Sequence, residues 1–388
     1  MALKILSVDD EVDLELLLTQ HFRRKIRHGE YEFYFAHNGL EALQVLLKTP
    51  DIDVILSDIN MPEMDGLTLL TKINEMRNPA LKCIMVSAYG DMDNIRHAMN
   101  GGAFDFATKP IDLDDLELTI EKAREQIEFI HSSQKEHNEL IDIHNDLSVA
   151  QEIQLAILPR NFVLNMDNAD NVDIFASMTA AKDVGGDFYD FFPIDKTHFG
   201  FSIADVSGKG VPAAIFMAVS RTLIKATGAR NIPSNECMKS VNDLLCGESV
   251  NSMFVTAIYG IYDMETGLIE YTNAGHTHPY ILHADGSVEQ IVSHTNLVLG
   301  AMEGLTFQSN QMQLQPGDAL ITYTDGVTEA ENSNYDQFGE TGLEQTMGSL
   351  KGASSRIIVD EINNKVKDFA NGTPQNDDVT ILVIKRNK

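Results

Sequence analysis

The sequence predicts three regions: an α/β region with a five-stranded parallel sheet over residues 1–125, a helical connector over 126–162, and an α+β region over 163–388. Three observations predict this order. Short apolar runs alternate with helical stretches in the first region. The second contains no glycine, and its one proline, Pro159, comes near its end. In the third, many strand-like runs are interrupted by only a few long helical ones.

In the first region, strand-like runs lie at 4–8, 32–36, 54–57, 82–86 and 104–107, with helical stretches such as 39–48 and 66–77 between them. Short apolar strands separated by helices imply a parallel sheet covered on both faces. Five such units describe a flavodoxin-like, doubly wound fold, whose site lies at the carboxyl ends of the strands. The chemically active side chains fall there. Asp9 and Asp10 follow the first run, Asp58 the third, Ser87 the fourth and Lys109 the fifth. Three carboxylates from two strand ends make a hard oxygen site for Mg²⁺. Asp58 is the nucleophile that would form an aspartyl phosphate. Lys109 and the Ser87 hydroxyl would contact the phosphoryl oxygens.

Over this whole region the chain resembles the response-regulator receiver family. The resemblance rests on Val8-Asp9-Asp10-Glu11, on Ser57-Asp58-Ile59-Asn60-Met61-Pro62-Glu63-Met64-Asp65-Gly66, and on Ser87-Ala88 and Thr108-Lys109-Pro110. It implies Asp58 as phosphoacceptor, Mg²⁺ held at Asp9, Asp10, Asp58 and Asn60, and a cognate histidine kinase. It also implies a switch made of Ser87, Phe106 and Lys109. Phe106 lacks a hydroxyl, so an aromatic switch here works by packing alone.

The connector extends a seam. Leu116, Ile120, Ala123, Ile127 and Ile130 follow 4-3-4-3 spacing. The pattern turns polar at 132–137 and resumes out of frame at Leu140, Ile143, Leu147, Ala150, Gln154 and Ile157. The expectation is a coiled coil and a parallel homodimer through it. Pro159 stops the helix.

In the third region, strand-like runs at 172–178, 199–205, 255–263, 268–272, 280–283, 319–324 and 379–384 surround helical stretches at 212–227, 235–245 and 354–370. Four acidic motifs lie at or near the ends of these runs: Gly185-Gly186-Asp187, Asp205-Val206-Ser207-Gly208, Thr324-Asp325-Gly326 and Asn376-Asp377-Asp378. Carboxylates carried on separate strand ends can converge on two divalent ions. Oxygen ligands suit Mn²⁺ or Mg²⁺, and no His or Cys cluster suggests zinc.

In their order and spacing the four motifs resemble the PPM-type (PP2C-like) serine/threonine phosphatases of the SpoIIE-like branch. The segment 150–159 resembles the lead-in to such domains, and Asn273-Ala274-Gly275-His276 resembles another stretch of that branch. The resemblance implies an αββα sandwich and two or more Mn²⁺ or Mg²⁺ ions. Their ligands would be Asp187, Asp205, the Val206 carbonyl, Asp325 and Asp377, the last preferred over Asp378. It further implies a phosphorylated STAS-type protein, an anti-sigma factor antagonist, as substrate. Lys182 is a candidate for holding the phosphate, and the histidines at 276 and 278 are expected to shape a turn.

Bulk properties exclude other classes. At 388 residues the chain is too long for one ordinary domain. Its formal charge of −29 argues against nucleic acid as a partner. No run reaches the ~18 apolar residues that cross a bilayer, and the first residues read as a strand. Cys83, Cys237 and Cys246 lack metal-ligand spacing and read as reduced thiols of a cytoplasmic protein. The combined expectation is a response regulator in which Asp58 phosphorylation controls a metal-dependent protein phosphatase. The competing expectation is a receiver-gated adaptor without catalysis.

Overall fold

Alternate residues along a strand face opposite sides of its sheet, and the N-terminal strands carry apolar groups on both sides. The computed structural model describes residues 2–88, 91–162, 166, 169–248 and 253–388, and the expected boundary at residue 163 lies outside them. The chain divides into two compact units, residues 1–143 and 144–388.

In the first unit, β1 (Leu3–Val8), α1 (Val12–His21), α2 (Arg23–His28), β2 (Tyr31–Ala36), α3 (Gly39–Lys48) and β3 (Val54–Asp58) lead on to α4 (Gly66–Glu75), β4 (Lys82–Ala88), α5 (Met92–Asn100) and β5 (Asp105–Lys109). The strands form a parallel sheet in the order β2-β1-β3-β4-β5. Leu6, Val8, Ile55 and Met85 face one core, whereas Ile5, Val54, Leu56 and Ile84 face the other. Asn38 and Asp65 cap α3 and α4 by accepting from Glu41 and Thr68 backbone N–H groups.

Helix α6 (Leu113–Ile157) runs unbroken through the predicted connector as far as Ile157. Its sequence pattern is used differently from the expected seam. Leu116, Ile120, Ala123 and Ile127 are buried in the core of the first unit. Their 4-3-4-3 spacing is that of an amphipathic helix lying on its own sheet, which single-sequence periodicity does not distinguish from a dimer seam. Farther on, Leu140 and Ile143 are 66% and 56% exposed, and Gln154 is buried. No helix among the described residues is long and apolar enough to cross a membrane.

The second unit is built from β6 (Val172–Thr179), β7 (Phe188–Pro193), β8 (His198–Val206), α7 (Val211–Gly228), α8 (Ser234–Glu248), β9 (Val255–Asp263) and β10 (Leu268–Ala274), followed by β11 (Tyr280–Leu282), β12 (Val288–Gln290), β13 (Thr295–Asn296), β14 (Asn310–Gln313), β15 (Ala319–Tyr323), α9 (Gly339–Gly348), α10 (Ser355–Ala370) and β16 (Val379–Arg386). One sheet runs β13-β10-β9-β8-β7 with β14 also on β10, and the other runs β12-β11-β15-β16-β6. Alternation again sorts the side chains. Leu320, Leu382 and Ile384 join the core shared with the first sheet, while Ile321, Ile381 and Val383 pack with α9 and α10. Helices α7 and α8 lie on the first sheet. The result is the expected helix–sheet–sheet–helix sandwich. Strand β7 was not predicted. Its aromatic run Phe188-Tyr189-Asp190-Phe191-Phe192 is buried throughout, so it shows no alternation of apolar and polar residues to read.

Candidate metal centres

In the first unit, β1 and β3 end side by side and bring Asp9, Asp10 and Asp58 together. One carboxylate oxygen from each lies within 4.8 Å of the others. Asp9 and Asp58 are buried and Asp10 is exposed, so the cluster opens to solvent at one edge. The Lys109 ammonium reaches in from the end of β5, 2.8 Å from Asp58 Oδ2, 2.9 Å from Asp9 Oδ2 and 3.0 Å from Glu11 Oε1. Burial opposes its charge, but the hydrogen bonds to Asp58, Asp9 and Glu11 outweigh burial and raise its pKa. Burial raises the Asp9 carboxyl above its usual range despite Lys109.

A close approach shapes this site. A Cβ at Gly66 would lie 2.1 Å from the Asp58 carbonyl oxygen, so only glycine lets α4 start there. Ser87 is fully buried, with its Oγ 3.5 Å from Asp91 Oδ2. Phe106 is 37% exposed on β5, and Asn60 is exposed with its N–H 3.4 Å from Asp58 Oδ1.

In the second unit, Asp187 precedes β7, Asp205 sits near the end of β8, Asp325 follows β15 and Asp377 precedes β16. Antiparallel pairing of β7 with β8, and of β15 with β16, places these ends together in pairs. Asp187 is buried, with 1% of its surface exposed. Burial, then the Asp205 charge, pushes Asp187 well above the usual carboxylate range. Burial, then Asp325 and Asp377, lifts Asp205 to about 7, and burial followed by Asp377 raises Asp325. Carboxylates that raise one another in this way lower their energy by binding protons or cations. The all-oxygen donor set fits Mn²⁺ or Mg²⁺. The spacing differs from the compact triad of the first unit: among the described residues, Asp9, Asp10 and Asp58 form the group whose ligand atoms all fall within 4.8 Å.

Several side chains that sequence reading passed over hold this site. Thr324 Oγ1 donates to Asp187 Oδ2 at 2.7 Å and accepts the Thr380 N–H at 3.0 Å. Asp378 is buried and committed to backbone: it accepts Gly186 N–H at 2.6 Å, Asp187 N–H at 3.3 Å and Ala181 N–H at 2.8 Å. Asp377 instead turns its carboxylate to the Lys209 ammonium, 2.8 Å away. No local signal separates these adjacent aspartates. A Cβ at Gly326 would meet the Asp378 carbonyl oxygen at 2.0 Å, so the third motif packs directly on the fourth.

Lys182 is exposed, whereas Lys209 stands at the carboxylates. Burial opposes the Lys209 charge, but Asp377 outweighs it and raises its pKa. Beside Asp377 and Lys209 opens a groove of about 550 Å³, lined also by Thr179, Glu329, Asn363 and Gln375. Asp190 is buried and paired with Arg221 of α7 at 2.8 Å. The Asn273 side chain closes the turn at His276 through two hydrogen bonds, 3.0 and 2.8 Å. Burial pushes His276 down to about 4, so its ring is neutral at neutral pH. Thr277 Oγ1 donates to the Tyr323 carbonyl, next to the Thr324-Asp325 motif.

Residues 5–121 match the profile of the response regulator receiver domain, and residues 195–387 match that of Stage II sporulation protein E (SpoIIE). Protein IcfG of Synechocystis sp. is 29% identical over 269 residues, 62% of this chain and 42% of that protein. Phosphoserine phosphatase RsbU of Bacillus subtilis is 26% identical over 248 residues, 63% of this chain and 71% of RsbU. The chain therefore spans less than half of IcfG. The SiaA-PP2C domain of Pseudomonas aeruginosa shares the fold, with a TM-score of 0.55 at 20% identity over 64% of this chain and 98% of that one.

Proposed function

Because the chain joins an N-terminal response regulator receiver domain to a C-terminal SpoIIE-type, PP2C-like phosphatase domain, we propose that it is a protein phosphatase governed by phosphorylation of Asp58. The observation that carries this reading is the convergence of Asp187, Asp205, Asp325 and Asp377, whose mutual repulsion a pair of divalent cations would relieve.

Asp187, Asp205, Asp325, Asp377 and the Val206 carbonyl would hold Mn²⁺ or Mg²⁺ in the phosphatase domain. When bound, such ions lower the pKa of a water and neutralise charge on the transferring phosphoryl group. The chain's own groups do the remaining work. Thr324 fixes the orientation of Asp187, and Asp378 orders the loop that carries it. Lys209, 2.8 Å from Asp377 and lining the groove, would meet a substrate phosphate there. A groove lined by Asn363, Gln375 and Thr179 suits an extended peptide around a phosphoserine or phosphothreonine.

In the receiver, Asp9, Asp10, Asp58 and Asn60 would hold Mg²⁺ while Asp58 accepts a phosphoryl group from a histidine kinase. Lys109 already sits where that group's charge develops. The family resemblance, together with the likeness to a phosphoserine phosphatase, supports a phosphorylated STAS-type protein as substrate. The exposed Leu140 and Ile143 of α6 support a homodimer through this helix.

The test is Mn²⁺-dependent turnover of a phosphoserine peptide by wild type and Asp325→Ala, each with and without beryllofluoride. Turnover abolished in the variant and altered by beryllofluoride in wild type is the expected result. No turnover and no Mn²⁺ binding in wild type would leave the adaptor reading.

A further inference from the structure

Gln154 is the one buried residue of α6 between His144 and Ile157, and it lies between neighbours, Ile153 and Leu155, that are exposed. A buried polar side chain must find partners, and this one finds both on a single residue. Its Nε2 donates to the Gly185 carbonyl at 2.6 Å, and its Oε1 accepts the Gly185 N–H at 3.1 Å. Gly185 opens the motif that carries Asp187. It has no room for a side chain, because a Cβ there would sit 2.2 Å from Asp378 Oδ2. The 185–187 loop is thus gripped twice. Asp378 takes the Gly186 N–H from one side, and Gln154 takes the Gly185 backbone from the other.

The two grips differ in origin. Asp378 belongs to the segment entering β16 of the phosphatase domain. Gln154 belongs to the helix that begins as the last helix of the receiver. We infer that Gln154 is a positioning residue through which helix α6 sets the geometry of the Asp187 motif, and so the cation affinity of the phosphatase domain. A rotation or slide of α6 that withdraws the amide leaves Gly185 with two unmatched backbone groups and the loop backbone held by Asp378, with Thr324 on the Asp187 side chain. This deepens the proposed receiver control and rests on that reading for its regulatory part only.

The test uses the full chain as wild type, Gln154→Ala, Gln154→Leu and Gln154→Glu. Two readouts are independent of turnover: hydrogen exchange of the 185–187 amides in metal-free protein, and Mn²⁺ affinity by calorimetry. Gln154→Ala and Gln154→Leu are expected to speed exchange at Gly185 and weaken Mn²⁺ binding ~10–100-fold, the range seen when partners of metal ligands are removed. Turnover lost at low Mn²⁺ should return as Mn²⁺ is raised. Leu fills the space without the hydrogen bonds, so a packing role alone would leave that variant near wild type. The Glu variant keeps the acceptor and loses the donor, and it decides the matter should the others fail to fold: its Mn²⁺ affinity should also fall. Wild-type affinity and wild-type exchange in the folded variants would overturn the proposal. Beryllofluoride should change Mn²⁺ affinity in wild type and not in Gln154→Ala. No change in wild type would sink receiver control while leaving the positioning role to the first two readouts.

Discussion

Asp205→Asn measures what confinement costs the carboxylates of the phosphatase domain. Burial, then the charges of Asp325 and Asp377, raises Asp205 from 3.8 to about 7. A raised carboxyl binds a proton in the folded chain over a pH range where the unfolded chain has already released it. Its contribution to stability is therefore present below about pH 4 and is lost as pH rises through about 7. A rise from 3.8 to about 7, at about 1.4 kcal/mol per pH unit, corresponds to about 4 kcal/mol. The neutral amide escapes this loss. In EDTA, urea unfolding should find Asp205→Asn more stable than wild type at pH 8, with the gap wider by about 3 kcal/mol than at pH 5. Comparing the two proteins cancels the receiver's own transition. Mn²⁺ should narrow the gap. At about a hundred times its dissociation constant it adds about 2.7 kcal/mol to wild type and much less to the variant. A gap independent of pH, with equal responses to Mn²⁺, would mean that Asp205 is not confined against Asp325 and Asp377, and the proposed metal centre would fall with it.

Three other expectations follow from single contacts. Thr324→Val strips Asp187 of a buried hydrogen bond and leaves the Thr380 N–H unmatched, a loss of about 2–5 kcal/mol, whereas Thr324→Ser should stay within about 1 kcal/mol; calorimetric melting distinguishes them. Gly326→Ala drives a Cβ against the Asp378 backbone, so it should destabilise the domain by about 1–3 kcal/mol and weaken Mn²⁺ binding; a normal binding isotherm would count against the close packing of the last two motifs. Wild type is expected to sediment as a dimer and Leu140→Asp combined with Ile143→Asp as a monomer, and an unchanged sedimentation coefficient would remove α6 as the dimer contact.

The receiver was the most legible part of the chain. Its strands are short apolar runs with their chemistry at the next residue, so Asp9, Asp58 and Lys109 could be placed at strand ends before any contact was known. Helix α6 was legible as a helix but not in its loyalties. The spacing of Leu116, Ile120, Ala123 and Ile127 is the same whether the stripe meets a partner chain or its own sheet, and here it meets its own sheet. By its spacing Gln154 is one more seam position. Its bonds are to Gly185, 31 residues away, and nothing near it in the sequence announces them.

The sequence by itself determined the two-part plan and the carboxylates that stand at strand ends, because strand ends, glycine turns and paired acids are local patterns. Only the tertiary structure decided how those residues are used. Asp377 and Asp378 are chemically identical neighbours, yet one turns toward Lys209 and the other into the backbone of the 185–187 loop. Roles of this kind depend on which distant segment the fold brings alongside. That is settled by sheet register and by the demand that every buried polar group find a partner, and neither is written at any single position of the chain.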